Sequence, residues 1–396
     1  MLQYLFNGDR MYKFFKEQLD SKIENHNLRT LREYCPIDAV RVKRDDKEYL
    51  MMASNNYLGL TFDTRVIEGA MKGAQQYGTG SGGSRLVSGT FPLFTELERS
   101  LAKFKNTEKA LVFNTGYMAN VGTISAVADK NTIIFSDVLN HASIIDGCRL
   151  SRGTVKTYSH CDIDELKYLL KSVDQNTRKL IVTDGVFSMD GDIAPLDKLY
   201  ELSREYNALL MVDDAHATGT IGNGHGTAAY FGLEKEVDIQ LGTLSKSLGS
   251  VGGYVAANST IIDYLVNTSR SFIFSTALSP ADIGAALAAL HVLESDVSVL
   301  RRLHENVNYM ADQLISIGIN ATNETPIFPI LIGRNEDTLA VSNYLYEAEI
   351  IGTAIRPPTV PIGESRIRLT VTAAHNKEQI DYVCQSLHNA MKQSDL

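Results

Sequence analysis

No tryptophan occurs in this chain, and only nine prolines and four cysteines do. Cys35, Cys148, Cys161 and Cys384 are scattered, with no CxxC pair, which argues against a disulfide framework and against a zinc site and fits a reducing, cytoplasmic setting. No run approaches the roughly 18 apolar residues of a membrane span. The start, MLQYLFNGDRMYKFF, lacks the basic stretch and long apolar core of a secretory signal. Basic residues are outnumbered, 38 against 47 acidic, for a net charge of −9. That balance argues against a general binder of nucleic acid or anionic membrane, yet permits a local basic pocket. A GxSxG nucleophile elbow is missing, which disfavours a serine hydrolase. Internal repeats and low-complexity tracts are missing too.

What remains is an ordinary globular composition, 44% hydrophobic and 21% charged, over 396 residues. That length suits a large domain with a smaller one. A helix is expected over 11–34, with Phe14, Phe15, Leu19 and Ile23 on its apolar face and Arg29 as a solvated arm residue. A hairpin follows over 38–52, then a turn-rich Ser54-Asn-Asn-Tyr-Leu-Gly-Leu60. Gly78, Gly80 and Gly83 match GxGxxG, but the preceding 65–77 looks helical. A dinucleotide fingerprint needs a strand there, so a nicotinamide-dependent oxidoreductase is disfavoured. From 91 to 260 helices such as 92–105 and 195–206 separate apolar strands at 110–113, 132–135, 179–183, 208–213, 237–241 and 254–257. This alternation predicts an α/β fold with a mainly parallel sheet. A smaller α+β region follows helices 281–293 and 294–317: strand 327–332, helix 337–348, strands near 351–356 and 366–371, and helix 377–392. The expected division is an arm and hairpin over 1–50, a large domain over 51–290 and a small one over 291–396.

Ligands of open parallel sheets bind beyond the carboxyl ends of the strands. Five such ends carry polar chemistry here. After 110–113 comes Asn114-Thr-Gly-Tyr-Met-Ala-Asn120, where Gly116 and Tyr117 open a helix whose free N–H groups suit a phosphate. His141 follows 132–135, and Ser188 with its flanking acids follows 179–183. Asp213 and His216 end 208–213, and Thr243, Ser245 and Lys246 end 237–241. A metal bound by Asp213, His216 and His141 would leave Lys246 unused, so no metal is expected. Pyridoxal phosphate uses the whole set: an amine for its aldehyde, a carboxylate for its ring nitrogen, an aromatic face and a phosphate cup.

These residues resemble the α-oxoamine synthases, a branch of the aspartate-aminotransferase-like (fold type I) pyridoxal-phosphate superfamily. The likeness runs from about residue 12 to the C-terminus, through SNNYLGL (54–60), GSGGSRLVSG (80–89), NTGYMAN (114–120), NHAS (140–143), FSMDGDIAPL (187–196), VDDAHATG (212–219) and TLSKSLG (243–249). The string Ala354–Pro361, with Arg366–His375, is similar to the branch that joins glycine to pimeloyl-CoA, or pimeloyl-acyl carrier protein, in biotin synthesis. The alternative is the branch that uses acetyl-CoA and gives 2-amino-3-oxobutyrate.

The resemblance implies that Lys246 binds the cofactor aldehyde and then removes the α-proton of glycine. It implies that Asp213 pairs with the ring nitrogen, that His141 stacks on the ring and helps hold substrate, and that Ser188 and His216 meet the phenolic-oxygen side. Gly116, Tyr117 and Thr243 would hold cofactor and phosphate, joined by Ser275 and Thr276 of a second subunit in a homodimer with shared sites. Asn55 and Arg368 would orient the glycine carboxylate, and Arg32 and Thr359 would meet the acyl substrate. An intact Lys246 argues against a catalytically silent relative. Ser245 stands where the family often has glycine, and Met11 is expected to serve as a start, since the arm begins about ten residues early.

Overall fold

Apolar strands without alternation need cover on both faces. In the computed structural model, which describes residues 2–25 and 28–394 and side chains from residue 12 onward, they form one seven-stranded sheet. Its strands are β1 (Lys109–Phe113), β2 (Thr132–Asp137), β3 (Thr154–Tyr158), β4 (Arg178–Asp184), β5 (Leu209–Asp213), β6 (Ile239–Thr243) and β7 (Gly253–Ala257), in the order β1-β7-β6-β5-β4-β2-β3. Pairing is parallel from β6 through to β3. Only β7 runs against its neighbours, between β1 and β6. Alternate residues serve two helical layers: Leu180, Val182 and Met211 enter one core, Ile181, Leu210 and Val212 the other.

The expected strands are present, and β3 is an additional one. Its Thr-Val-Lys-Thr-Tyr sequence is half exposed at the sheet edge, where charge and hydroxyls discourage further pairing but also blur the apolar signal. A second difference lies in the N-terminal helix, which spans Leu2–Glu24 and does not continue to 34. Asn25 is a poor helix former whose side chain donates to the Ser21 carbonyl at 2.7 Å, and the apolar stripe stops at Ile23. Residues 28–34 are irregular. Phe14, Phe15, Leu19 and Ile23 remain 52–60% exposed. Met11 lies inside the helix, with its side chain outside the described residues.

The hairpin forms as expected from strands Arg41–Arg44 and Lys47–Met51, turning through Asp45 and Asp46 with φ of 50° and 65°. Its second strand also pairs in parallel with Ile350–Ile351, Leu50 opposite Ile350. A three-stranded antiparallel sheet lies nearby, with Ser365–Thr370 between Ile327–Gly333 and Thr353–Ile355. Helix Lys377–Gln393 covers this region and starts on a capping box of Asn376 and Gln379. Among the described residues no single helix is long and apolar enough to cross a membrane.

Candidate active site

Adjacent parallel strands in register bring their ends side by side, and Asp184 of β4 lies opposite Asp213 of β5. Both carboxylates are buried. Asp213 accepts from Asn120 Nδ2 at 2.6 Å and from the Ala215 amide at 2.9 Å. These donors are neutral, and among the described residues no cation forms an ion pair with it. Burial holds its carboxyl above the ordinary range, against the pull of Asn120 and Lys246. Burial and then Asp213 hold Asp184 well above its own.

Three residues past Asp213, His216 joins a continuous hydrogen-bonded chain. Lys246 Nζ lies 2.8 Å from His216 Nε2, and His216 Nδ1 lies 2.7 Å from the Tyr57 hydroxyl. Tyr57 donates to Asn55 Oδ1 at 3.2 Å, so it accepts from Nδ1–H and leaves Nε2 to accept from the lysine. Burial, then the positive charges of Lys246 and Arg368, hold His216 well below its ordinary value. The imidazole is therefore neutral at pH 7. Lys246 sits in the turn between β6 and β7. Desolvation lowers its amine to about 8, Asp213 and Asp184 opposing and Arg368 adding to the fall.

The anion cradle lies on the other side. Helix Gly116–Val127 is capped by Thr115, whose side chain accepts from the Met118 amide. Its first turn leaves the Gly116 and Tyr117 amides free of intrahelical partners. A Cβ on Gly116 would lie 3.3 Å from that of Thr243, and one on Gly253 would lie 2.6 Å from the Thr115 carbonyl. The helix start, the end of β6 and the start of β7 thus close around a space that side chains at these glycines would fill. Thr243 Oγ1 donates to the Gly252 carbonyl at 2.8 Å and meets Ser245 Oγ at 2.7 Å.

His141 caps helix Ala142–Ser151, its amide donating to Asp184 Oδ2 at 2.7 Å. Its Nδ1 meets Ser143 Oγ at 2.7 Å, which accepts from Asn120 Nδ2 at 2.9 Å, so the ring is tied through two residues to Asp213. Burial and Lys246 lower His141, and Asp213 partly offsets them. Arg368 is 5% exposed and donates from Nε to the Ser188 carbonyl at 2.6 Å. Its Nη2 reaches Asn55 Oδ1 at 3.3 Å and the Tyr57 hydroxyl at 3.4 Å. Arg366, two residues before, pairs instead with Asp190 and Glu364. Thr276 lies beside β1 in its own chain, its carbonyl accepting from Asn114 Nδ2 at 2.6 Å, with Ser275 next to it.

The structure thus gathers Lys246, Asp213, His216, His141, Asn55, Ser188 and Arg368 at one sheet edge, with Gly116, Tyr117 and Thr243 beside them. Arg32 is elsewhere, its guanidinium 5.0 Å from the centroid of the Tyr346 ring. Arg29, read from the sequence as a solvated arm residue, lines with Thr359 a cavity of about 450 Å³. That cavity also touches Thr353, which pairs across the sheet with Arg368. Tyr57, Asn120 and Asp184 were not singled out by sequence reasoning. Tyr57 and Asn120 lie inside quoted motifs, and Asp184 ends a strand.

The aminotransferase class I and II profile matches residues 47–387. The chain is 46% identical to an 8-amino-7-oxononanoate synthase of Lysinibacillus sphaericus, over 96% of this chain and 98% of that one. A solved serine palmitoyltransferase from S. paucimobilis with a bound pyridoxal phosphate–myriocin adduct has a TM-score of 0.92 at 28% identity, covering 98% of this chain and 99% of that one. A crystal structure of 8-amino-7-oxononanoate synthase from Francisella tularensis has a TM-score of 0.76 at 28% identity, covering 88% of this chain and 99% of that one. The chain belongs to the aminotransferase class I and II family and is a fold type I enzyme that uses pyridoxal phosphate. Within that family its curated relatives are 8-amino-7-oxononanoate synthases, as the Ala354–Pro361 string led one to expect. The donor set fits the cofactor: a carboxylate without a bonded cation, an amine of lowered basicity and an amide cradle.

Proposed function

We propose that this enzyme joins glycine to a pimeloyl thioester of CoA or acyl carrier protein, releasing the thiol and CO2 and forming 8-amino-7-oxononanoate for biotin synthesis. The observation that carries the substrate assignment is Arg368. It is a buried guanidinium whose hydrogen bonds go to neutral acceptors, with no carboxylate partner among the described residues. A buried charge without a counter-charge is costly. The carboxylate of a small amino acid placed beside Lys246 supplies the missing partner.

When bound, pyridoxal phosphate supplies the electron sink for negative charge at the α-carbon of an amino acid. Asp213 would hold the ring nitrogen, His141 the ring face, and Ser188 and His216 the phenolic-oxygen side. The Gly116 and Tyr117 amides and Thr243 would hold the phosphate, with Ser275 and Thr276 of the other subunit of a cytoplasmic homodimer. Lys246, with a basicity near neutrality, can take the α-proton of glycine and return it after the new C–C bond has formed. Neutral His216 receives a hydrogen bond from that amine without competing for its proton. Arg368 and Asn55 hold the glycine carboxylate while the α-carbon attacks the thioester carbonyl and the thiol leaves. The carboxylate then departs as CO2.

Pimelate carries a second carboxylate, and Arg29 supports its recognition, standing with Thr359 at the cavity one strand from Arg368. The test is kcat/KM with glycine across an acyl-CoA series, in wild type, Arg29→Ala and Arg32→Ala. Pimeloyl-CoA should be preferred, and Arg29→Ala should raise its KM about tenfold or more, the loss of one charge-assisted contact. A preference for acetyl-CoA would overturn the substrate. A larger loss in Arg32→Ala would return the acyl contact to that residue.

A further inference from the structure

One charged cluster at the same sheet edge is not used above. His160, just past β3, lies between two carboxylates, with Nδ1 3.1 Å from Asp137 Oδ1 and Nε2 2.8 Å from Asp192 Oδ2. Asp137 ends β2, is 2% exposed and is fixed further by the amides of Leu139 and Cys161, each at 2.8 Å. The ring also meets Phe187 edge-on, centroids 4.4 Å apart. Burial pulls its basicity down, but Asp137 and Asp192 outweigh that and push it up to about 12. His160 is therefore a fixed cation, with both nitrogens spent on carboxylates and neither free for a metal ion.

Asp192 belongs to a tight turn closed by the Val186–Ile193 bridge and by the Gly191 amide donating to the Phe187 carbonyl at 2.8 Å. The far side of that turn holds both arginines of the C-terminal sheet. Ser188 O accepts from Arg368 and Asp190 from Arg366, while Thr325 Oγ1 bonds the Gly191 carbonyl at 2.6 Å. The turn is thus clamped between the parallel sheet, through His160, and the strand that carries Arg368.

We infer that His160 is a positioning residue for glycine: by bridging Asp137 to Asp192 it fixes the 187–192 turn whose Ser188 carbonyl aims the Arg368 guanidinium. The inference rests on the reading that Arg368 holds the glycine carboxylate. Its consequence is selective for glycine, because the side chains bonded to the turn include His160, Arg366, Arg368 and Thr325, and among the described residues none of its hydrogen bonds goes to Lys246 or to a residue lining the Arg29 cavity.

The experiment measures glycine affinity of the holoenzyme by calorimetry, together with steady-state kinetics, for His160→Gln, Asp192→Asn, Arg368→Ala and His160→Gln combined with Arg368→Ala. His160→Gln should raise the glycine Kd and KM about tenfold, as expected when a binding group is misplaced by a fraction of an ångström. It should leave the KM for the acyl thioester unchanged and kcat within about twofold. Asp192→Asn, on the more exposed partner, should do the same and serves if His160→Gln does not fold. Added to Arg368→Ala, His160→Gln should cost no further glycine affinity. A lowered melting temperature with unchanged glycine Kd, or additive losses in the double variant, would overturn the inference. Unchanged glycine affinity in Arg368→Ala alone would instead overturn the role of Arg368, and the inference with it.

Discussion

The properties of Lys246 depend on burial more than on any one neighbour. Its amine is lowered to about 8 in a site that also holds two carboxylates, because desolvation outweighs their attraction. The sign follows directly. Between about pH 8 and its ordinary value of 10.5 the unfolded chain carries more protons on this amine than the folded one. The cofactor-free protein therefore bears the full cost of the buried cation below about 8 and gains stability as pH rises through that window. Labelling of Lys246 by an amine-selective reagent, followed by mass spectrometry on cofactor-free protein, should show a midpoint near 8; one near 10.5 would contradict the assignment. Lys246, Asp213, His216 and His141 were legible in the sequence, because each stands directly after an apolar strand. Tyr57 was not: it meets His216 across 159 positions, from a loop with no periodicity. The placement of Arg29 at the cavity, and of Arg32 against Tyr346, was hidden for another reason. It turns on where the first helix stops, and periodic patterns blur at helix ends.

Among the elements, the antiparallel β7 does most to shape the cofactor cradle. It returns the chain from the lysine turn directly beneath the first turn of helix Gly116–Val127, which leaves no room for side chains at Gly116 and Gly253. Gly116→Val should weaken cofactor binding by about tenfold, roughly 1.4 kcal/mol, in a spectral titration of the cofactor-free protein. Its effect on the melting temperature of that protein should be small, since the helix start is not a core position. Equal cofactor affinity in the variant would mean that this cradle does not hold the phosphate. The sequence carried most of this architecture, since β1, β2, β4, β5 and β7 bury apolar runs and β6 is broken only by the buried Gln240 and its hydroxylated end. It carried neither the direction of β7 nor the presence of β3, whose threonines and lysine look like loop residues until a neighbouring strand is there to pair with.

Across the whole molecule exposed apolar groups are scattered, and a few of them flank the residues at the anion cradle. Leu86, Val87 and Phe274 are 54%, 84% and 70% exposed, on segments joined by the Ser84–Thr276 bridge. They adjoin Ser275 and Thr276, the residues proposed to serve a second subunit, and exposed apolar residues there suit the subunit contact of the proposed homodimer. On the proposed homodimer, wild type should sediment as a dimer and Phe274→Asp as a monomer, with activity lowered in proportion. A fully active monomer would refute shared sites. The hairpin carries a different whole-molecule consequence. Leu50 pairs with Ile350, and the Thr370 amide donates to the Met52 carbonyl at 2.7 Å, so the segment that follows the arm is joined to the strand that carries Arg368. The strand that carries Arg368 also pairs with Thr353, which lines the Arg29 cavity. Residues from opposite ends of the polypeptide thus share one hydrogen-bonded framework around the two proposed substrate positions, so the fold is closed by its termini rather than merely begun and ended by them.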